Sequence, residues 1–110
     1  MGVPGTIAGL FEIHKKFGSL PIYDLFQPAI DLASNGFVIT KKQARSLNYF
    51  RSEILNLNDS IKLFKDRFKE GDILKNDSLA KTLRLIQTKG SDAFYSGEIA
   101  NKLSKYILDK

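Results

Sequence analysis

Apolar residues recur every three or four positions along most of this chain, and proline and glycine cut the pattern into short lengths. Between Pro4 and Gly18, the residues Ile7, Leu10, Phe11, His14 and Phe17 share one face at helical spacing. That predicts a first helix, with Pro4 in its opening turn and Gly18 ending it. Pro21 opens a second helix on the same logic, and Asn35-Gly36 closes it. Its apolar face is Ile22, Leu25, Phe26, Ala29, Leu32 and Ala33. Pro28 lies inside this pattern without the amide the ladder needs, so the segment is expected to be kinked there or to form two short helices in series.

Phe37-Val38-Ile39 is apolar but brief, and does not by itself define a strand. Thr40 can cap a third helix running to about Leu55, with Ala44, Leu47, Phe50 or Arg51, and Ile54 in register. Asp59 or Ser60 can cap a fourth, where Ile61, Phe64 and Phe68 recur. Glu70-Gly71-Asp72 reads as a turn and Ile73-Leu74 as a stub of extended chain. Asn76 or Asp77 then caps a fifth helix bearing Leu79, Leu83 and Ile86, which Gly90 ends. A helical turn follows from Ser91 through Phe94-Tyr95. Past Gly97 a last helix aligns Ile99, Leu103, Tyr106 and Ile107. Gly18, Gly36 and Gly90 are expected to leave their helices in left-handed geometry. The expected fold class is all-α, six or seven short helices with tight turns, over residues 1–110 as a single segment.

Composition adds limits more than direction. At 110 residues with 43% hydrophobic and 26% charged side chains, the chain suits one modest core with an ordinary charged surface. Net charge is +5, but the 17 basic residues are scattered in pairs and singles, which reads as a solvated face with no nucleic-acid partner. There is no cysteine, which removes disulfides and thiolate chemistry. No apolar stretch reaches the roughly 20 residues that span a bilayer. Met1 to Gly5 lacks the basic and apolar regions of a signal peptide, and Pro4 counts against myristoylation.

The residues offer little catalytic chemistry. Acyl transfer needs a nucleophile, a base and an oxyanion hole, yet there is no Gly-x-Ser-x-Gly and only one histidine. His14 sits at the edge of an apolar stripe, where a packed structural role is expected. Glu70, Asp72 and Asp77 lack calcium-loop spacing and read as turn acids. Gly5 to Gly9 is too short for a phosphate loop and no Lys-Ser/Thr follows it. Asn58-Asp-Ser60 and Asn76-Asp-Ser78 match the glycosylation pattern, but capping explains them as well. The residues therefore give no catalytic, cofactor-binding or metal-binding site.

A resemblance goes further. Gly2-Val3-Pro4-Gly5-Thr6-Ile7-Ala8-Gly9-Leu10 resembles the Val-Pro-Gly-Thr-x-Ala-Gly segment of γ-glutamyltranspeptidases. It continues through His14-Lys15-Lys16-Phe17-Gly18-Ser19-Leu20-Pro21. Asp24 to Phe37 then resembles the family's Gln-Pro-Ala-Ile-x-Leu-Ala-x-x-Gly-Phe block. After a divergent stretch at 44–70, Gly71-Asp72-Ile73-Leu74 with Leu79-Ala80-Lys81-Thr82-Leu83, and then Gly90 to Ala100, return to the family pattern in order.

The resemblance implies an internal piece of the large subunit, an excerpt of the helical part of an N-terminal nucleophile hydrolase with its αββα sandwich. Such enzymes cleave themselves to expose a threonine that attacks the γ-glutamyl amide of glutathione, and they need no cofactor. Capsule depolymerases and cephalosporin acylases share the architecture. The family's Thr-Thr-His-like context is not found here: Thr6, Thr40, Thr82 and Thr88 are followed by Ile7, Lys41, Leu83 and Lys89. The Gly-Gly pair of the oxyanion hole is absent, as is the arginine motif, which the family carries upstream. The chain alone is thus expected to be inactive, its partners being the remainder of its own large subunit and the small subunit, with self-association through exposed apolar surface. The parent is expected in the periplasm, secreted or facing outward. The rival expectation is a stand-alone, non-catalytic helical binding module.

Overall fold

The computed structural model describes residues 4–58 and 61–109. The element order is α1 Thr6–Phe17, α2 Ile22–Asn35, β1 Phe37–Val38, α3 Lys41–Leu57, a 3-10 turn Lys62–Phe64, β2 Ile73–Leu74, α4 Asp77–Lys89, α5 Asp92–Tyr95 and α6 Glu98–Leu108. The fold is mostly helical, as the spacing predicts. Two compact units divide it, one of Met1–Asp31 with Ser78–Lys110, the other Leu32–Asp77.

In the first unit, α1 starts at Thr6, so Pro4 precedes the helix instead of sitting in its first turn. Gly5 at the N-cap has no side chain to bond the free amides of that turn. Tyr95 takes the role from the far end of the sequence. Its hydroxyl accepts from the Ala8 N–H at 3.0 Å and donates to the Pro4 carbonyl at 2.7 Å. Gly18 corrects one expectation: it leaves α1 extended, at φ −70° and ψ 133°, not left-handed. It is glycine for want of space, because a Cβ there would lie 2.7 Å from His14 Nε2 and also against the His14 carbonyl.

α2 runs through Pro28 as one element, and the two-helix alternative does not occur. Pro28 is exposed, where water can reach the carbonyl it leaves unbonded. Ile30 on α2, Ala80 and Ile86 on α4, and Ala93 on α5 are the buried apolar residues of this unit. Among them lies a buried polar side chain, Gln87. Its Nε2 donates to the Tyr23 carbonyl at 2.9 Å and to Gln27 Oε1 at 3.1 Å, so its burial carries no unpaired amide. Phe11 packs on Phe26 with ring centroids 6.1 Å apart. Gly90 ends α4 at φ 72°, as expected.

The second unit is closed at its base by a short antiparallel ladder, Phe37 opposite Leu74 and Val38 opposite Ile73. The Asn76 N–H extends the pairing to the Ala33 carbonyl at 2.8 Å. Gly36 enters the ladder at φ 85° with the Ile73 side chain against it, so it answers both a left-handed turn and a close approach. Thr40 and Gln43 form a reciprocal capping box at the start of α3, which runs two residues beyond its expected end. Ile39 and Ala44 are buried beside it.

The expected fourth helix is not formed. Its cap, Asp59 or Ser60, lies outside the described residues, as do Met1 to Val3 of the opening block. Between Ile61 and Phe68 only the 3-10 turn Lys62–Phe64 is helical. Side chains of α3 hold the backbone that a helix would have used. Asn48 Nδ2 donates to the Phe68 carbonyl at 2.8 Å, and its Oδ1 accepts from the Phe68 N–H at 3.0 Å. Arg51 donates to the carbonyls of Lys65 and Asp66. Of the two residues in register on α3, it is therefore Arg51 and not Phe50 that turns inward.

Candidate functional site

His14, Thr40, Asn58, Asp72, Thr82 and Thr88 each have a structural task in the fold. His14 Nε2 lies 2.7 Å from the Leu20 carbonyl. A carbonyl only accepts, so Nε2 carries hydrogen and the ring bridges the α1–α2 turn. Asp72 Oδ2 accepts from the Lys69 N–H at 2.7 Å, bracing the turn at Gly71, while Asp77 opens α4. Among the described residues no three His, Asp or Glu side chains converge where a metal could sit. Asn58 Nδ2 donates to the Ile54 carbonyl at 2.9 Å and so serves the end of α3. Thr82 and Thr88 hydroxyls bond back to the carbonyls of Ser78 and Arg84 in their own helix. Thr40 caps α3.

The concave surface is apolar instead of catalytic. A groove of about 490 Å³ runs between α4 and α6, floored by Leu85, Ile99, Leu103 and Tyr106. Its rim carries Glu98 and Lys102, bonded at 2.6 Å. The hydrogen bond from Lys102, and then its charge, hold the Glu98 carboxyl below its ordinary value. The pair is exposed and spans one helical turn, an arrangement worth little to stability. A second groove, on the other side of α6, is lined by Pro4, Phe94, Tyr95 and Ile107.

Several helices leave large apolar side chains exposed. Tyr49, Phe50 and Leu57 on α3, Leu25 and Tyr23 on α2, and Tyr106, Ile107 and Leu108 on α6 are exposed. A helix on the surface of a self-sufficient domain turns a polar face outward. The total accessible surface says the same. It is 8621 Å², whereas two separately compact bodies of half this mass would together expose about 7400 Å². Sequence periodicity marks these residues as apolar and helical, but it does not separate a covered face from an uncovered one. Neither Tyr95 nor Gln87 as a long-range clasp is visible in it.

The family model described as Gamma-glutamyltranspeptidase matches residues 1–110. A glutathione hydrolase proenzyme of Pseudomonas aeruginosa is 42% identical over 105 residues, which cover 93% of this chain and 18% of that protein. Among solved structures, the γ-glutamyltranspeptidase of Helicobacter pylori matches with a TM-score of 0.91 at 38% identity, covering 98% of this chain and 32% of that one. The transpeptidase CapD of Bacillus anthracis matches with a TM-score of 0.81 at 36% identity, over 97% of this chain and 39% of that one. The chain spans about a fifth of the length of the curated relatives it matches.

Proposed function

The chain belongs to the γ-glutamyltranspeptidase family, and from that premise we propose that it serves as helical scaffold in the large subunit of a larger enzyme. In this reading residues 1–110 act as one segment of that subunit. The parent transfers the γ-glutamyl group of glutathione-like substrates to water or to an amino acid. The reacting hydroxyl belongs to an N-terminal threonine in another part of the polypeptide, and these residues contribute support, not chemistry.

One observation carries the reading: α2, α3 and α6 leave large apolar side chains exposed. Burying such side chains is favourable by roughly 25 cal/mol per Å², so a chain built this way is completed by further protein. The remaining large subunit and the small subunit are the partners that fit. The hydrogen-bonding tasks of His14, Thr40, Thr82 and Thr88 support the same assignment, since each is already committed to backbone.

The reading is tested with a hydrophobic dye and a γ-glutamyl anilide. The separate chain is expected to bind the dye strongly and to hydrolyse no anilide. A chain that binds no dye and stays a fully protected monomer is the behaviour of a stand-alone helical module, and it would overturn the scaffold assignment.

A further inference from the structure

Of the six asparagines in the chain, Asn35 alone is followed by glycine. That pairing has a chemical consequence. A backbone nitrogen can close on the side-chain amide carbon of the asparagine before it, and glycine, with no Cβ, leaves the approach open. The fold fixes both partners. Asn35 is the last residue of α2 and is exposed to water. Gly36 follows at φ 85°, and a Cβ on it would lie 2.6 Å from Ile73 Cγ2 and 3.0 Å from the Leu74 carbonyl. Glycine is required there on both counts, so the reactive pair is built into the turn from α2 to β1.

The same turn restrains the reaction. The Gly36 N–H donates to the Leu32 carbonyl at 3.0 Å, which ties up the attacking nitrogen. Ring closure also requires the Asn35 backbone to rotate well away from helical ψ. The chain is anchored on both sides of the pair. The Ala33 carbonyl accepts from the Asn76 N–H at 2.8 Å, and the Ile39 N–H donates to the Asp72 carbonyl at 2.9 Å. Attack therefore waits for the end of α2 to unwind, a local opening of the kind that helix ends undergo.

We propose that Asn35 is a self-modification site, converted to aspartate and isoaspartate when the turn from α2 to β1 opens. The Gly36 nitrogen gives its proton to a solvent base and bonds to Asn35 Cγ. The Cγ–Nδ2 bond then breaks, and ammonia leaves with a proton taken from solvent. Water opens the resulting five-membered imide at either carbonyl. Opening at Cγ yields aspartate. Opening at the Asn35 backbone carbonyl routes the main chain through the side chain and lengthens it by one methylene. Both products put a carboxylate beside the last carbonyls of α2, the negative end of the helix. Isoaspartate also displaces Gly36 from its close fit against Ile73, one residue before the ladder begins at Phe37. The change is one-way and loosens the second unit. The inference rests on the unit Leu32–Asp77 alone and is independent of the scaffold reading.

The test holds the wild-type chain at neutral pH in buffer and in urea, with peptide mass spectrometry following acid formation at each asparagine. In urea, acid is expected at Asn35 ahead of the other asparagines. In buffer, Asn35 is expected to react at least about tenfold more slowly, because the rate tracks the population of the open form. Ile39→Ala removes a buried side chain of the same unit and is expected to move the buffer rate toward the urea rate. Modified chain, separated by its added charge, is expected to exchange the Ile39 and Asn76 amide hydrogens about tenfold faster than unmodified chain. An Asn35 that reacts no faster in urea than the other asparagines overturns the site. Equal wild-type rates in buffer and urea overturn the restraint, and unchanged amide exchange overturns the loosening.

Discussion

The Tyr95 hydroxyl donates to the carbonyl of Pro4 at 2.7 Å, closing a sequence separation of 91 residues with one hydrogen bond. The same oxygen accepts from the Ala8 N–H, so a side chain on α5 caps a helix whose own N-cap is glycine. Tyr95→Phe removes both bonds while keeping the ring on Phe94. The expected loss is about 1 kcal/mol, read as a lower urea midpoint with unchanged slope. Hydrogen exchange at the Ala8 amide should quicken more than exchange in the middle of α4.

Gly18→Ala should destabilise by about 1–3 kcal/mol, because the added methyl meets the His14 ring and carbonyl. Adding His14→Ala relieves the ring but not the carbonyl, so the pair recovers only part of the loss. Full recovery in a double-mutant cycle would show that the carbonyl contact has no weight.

Asn48 pairs with both the N–H and the C=O of Phe68. Asn48→Asp keeps an acceptor for the amide but loses the donor to the carbonyl, with an expected cost of about 1–3 kcal/mol. Asn48→Leu loses both and should cost at least as much. Urea unfolding of the two variants measures the order, and the aspartate chain is expected to be the more stable.

Ile86 and Ile39 are almost fully buried, one in each unit. Truncation of either to alanine should cost about 2–5 kcal/mol. With so few fully buried side chains among the described residues, a loss of that size is a large share of the stability. The thermal transition of each variant should move down by many degrees or lose its cooperativity.

These clasps explain how far the sequence could be read. Thr40 with Gln43, Gly36 and Gly90 are local devices, and their residues announce the turn or cap they make. Ile61, Phe64 and Phe68 have helical spacing, yet the chain there forms only a short 3-10 turn. What decides their backbone is Asn48 and Arg51, at least 14 residues earlier in the chain. Gln87 is similar: nothing in its neighbours shows that it will be buried against Tyr23 and Gln27. The family was legible because its motifs are blocks of punctuation in order, Pro4-Gly5, Gln27-Pro28, Gly71-Asp72 and Phe94 to Gly97. The uncovered faces were not, since a helical stripe has the same spacing whether protein or water lies beyond it.

The central claim is that these residues support a γ-glutamyl-transferring enzyme without supplying its chemistry, and γ-glutamyl anilide hydrolysis by two samples tests it most directly. One sample is the chain by itself, and the other is the product of the whole reading frame that contains it. The account predicts turnover by the long polypeptide, after it has cleaved itself to free an N-terminal threonine, and none by the chain alone. Hydrolysis by the separate chain would contradict it, and so would a reading frame whose product neither cleaves itself nor turns over the anilide.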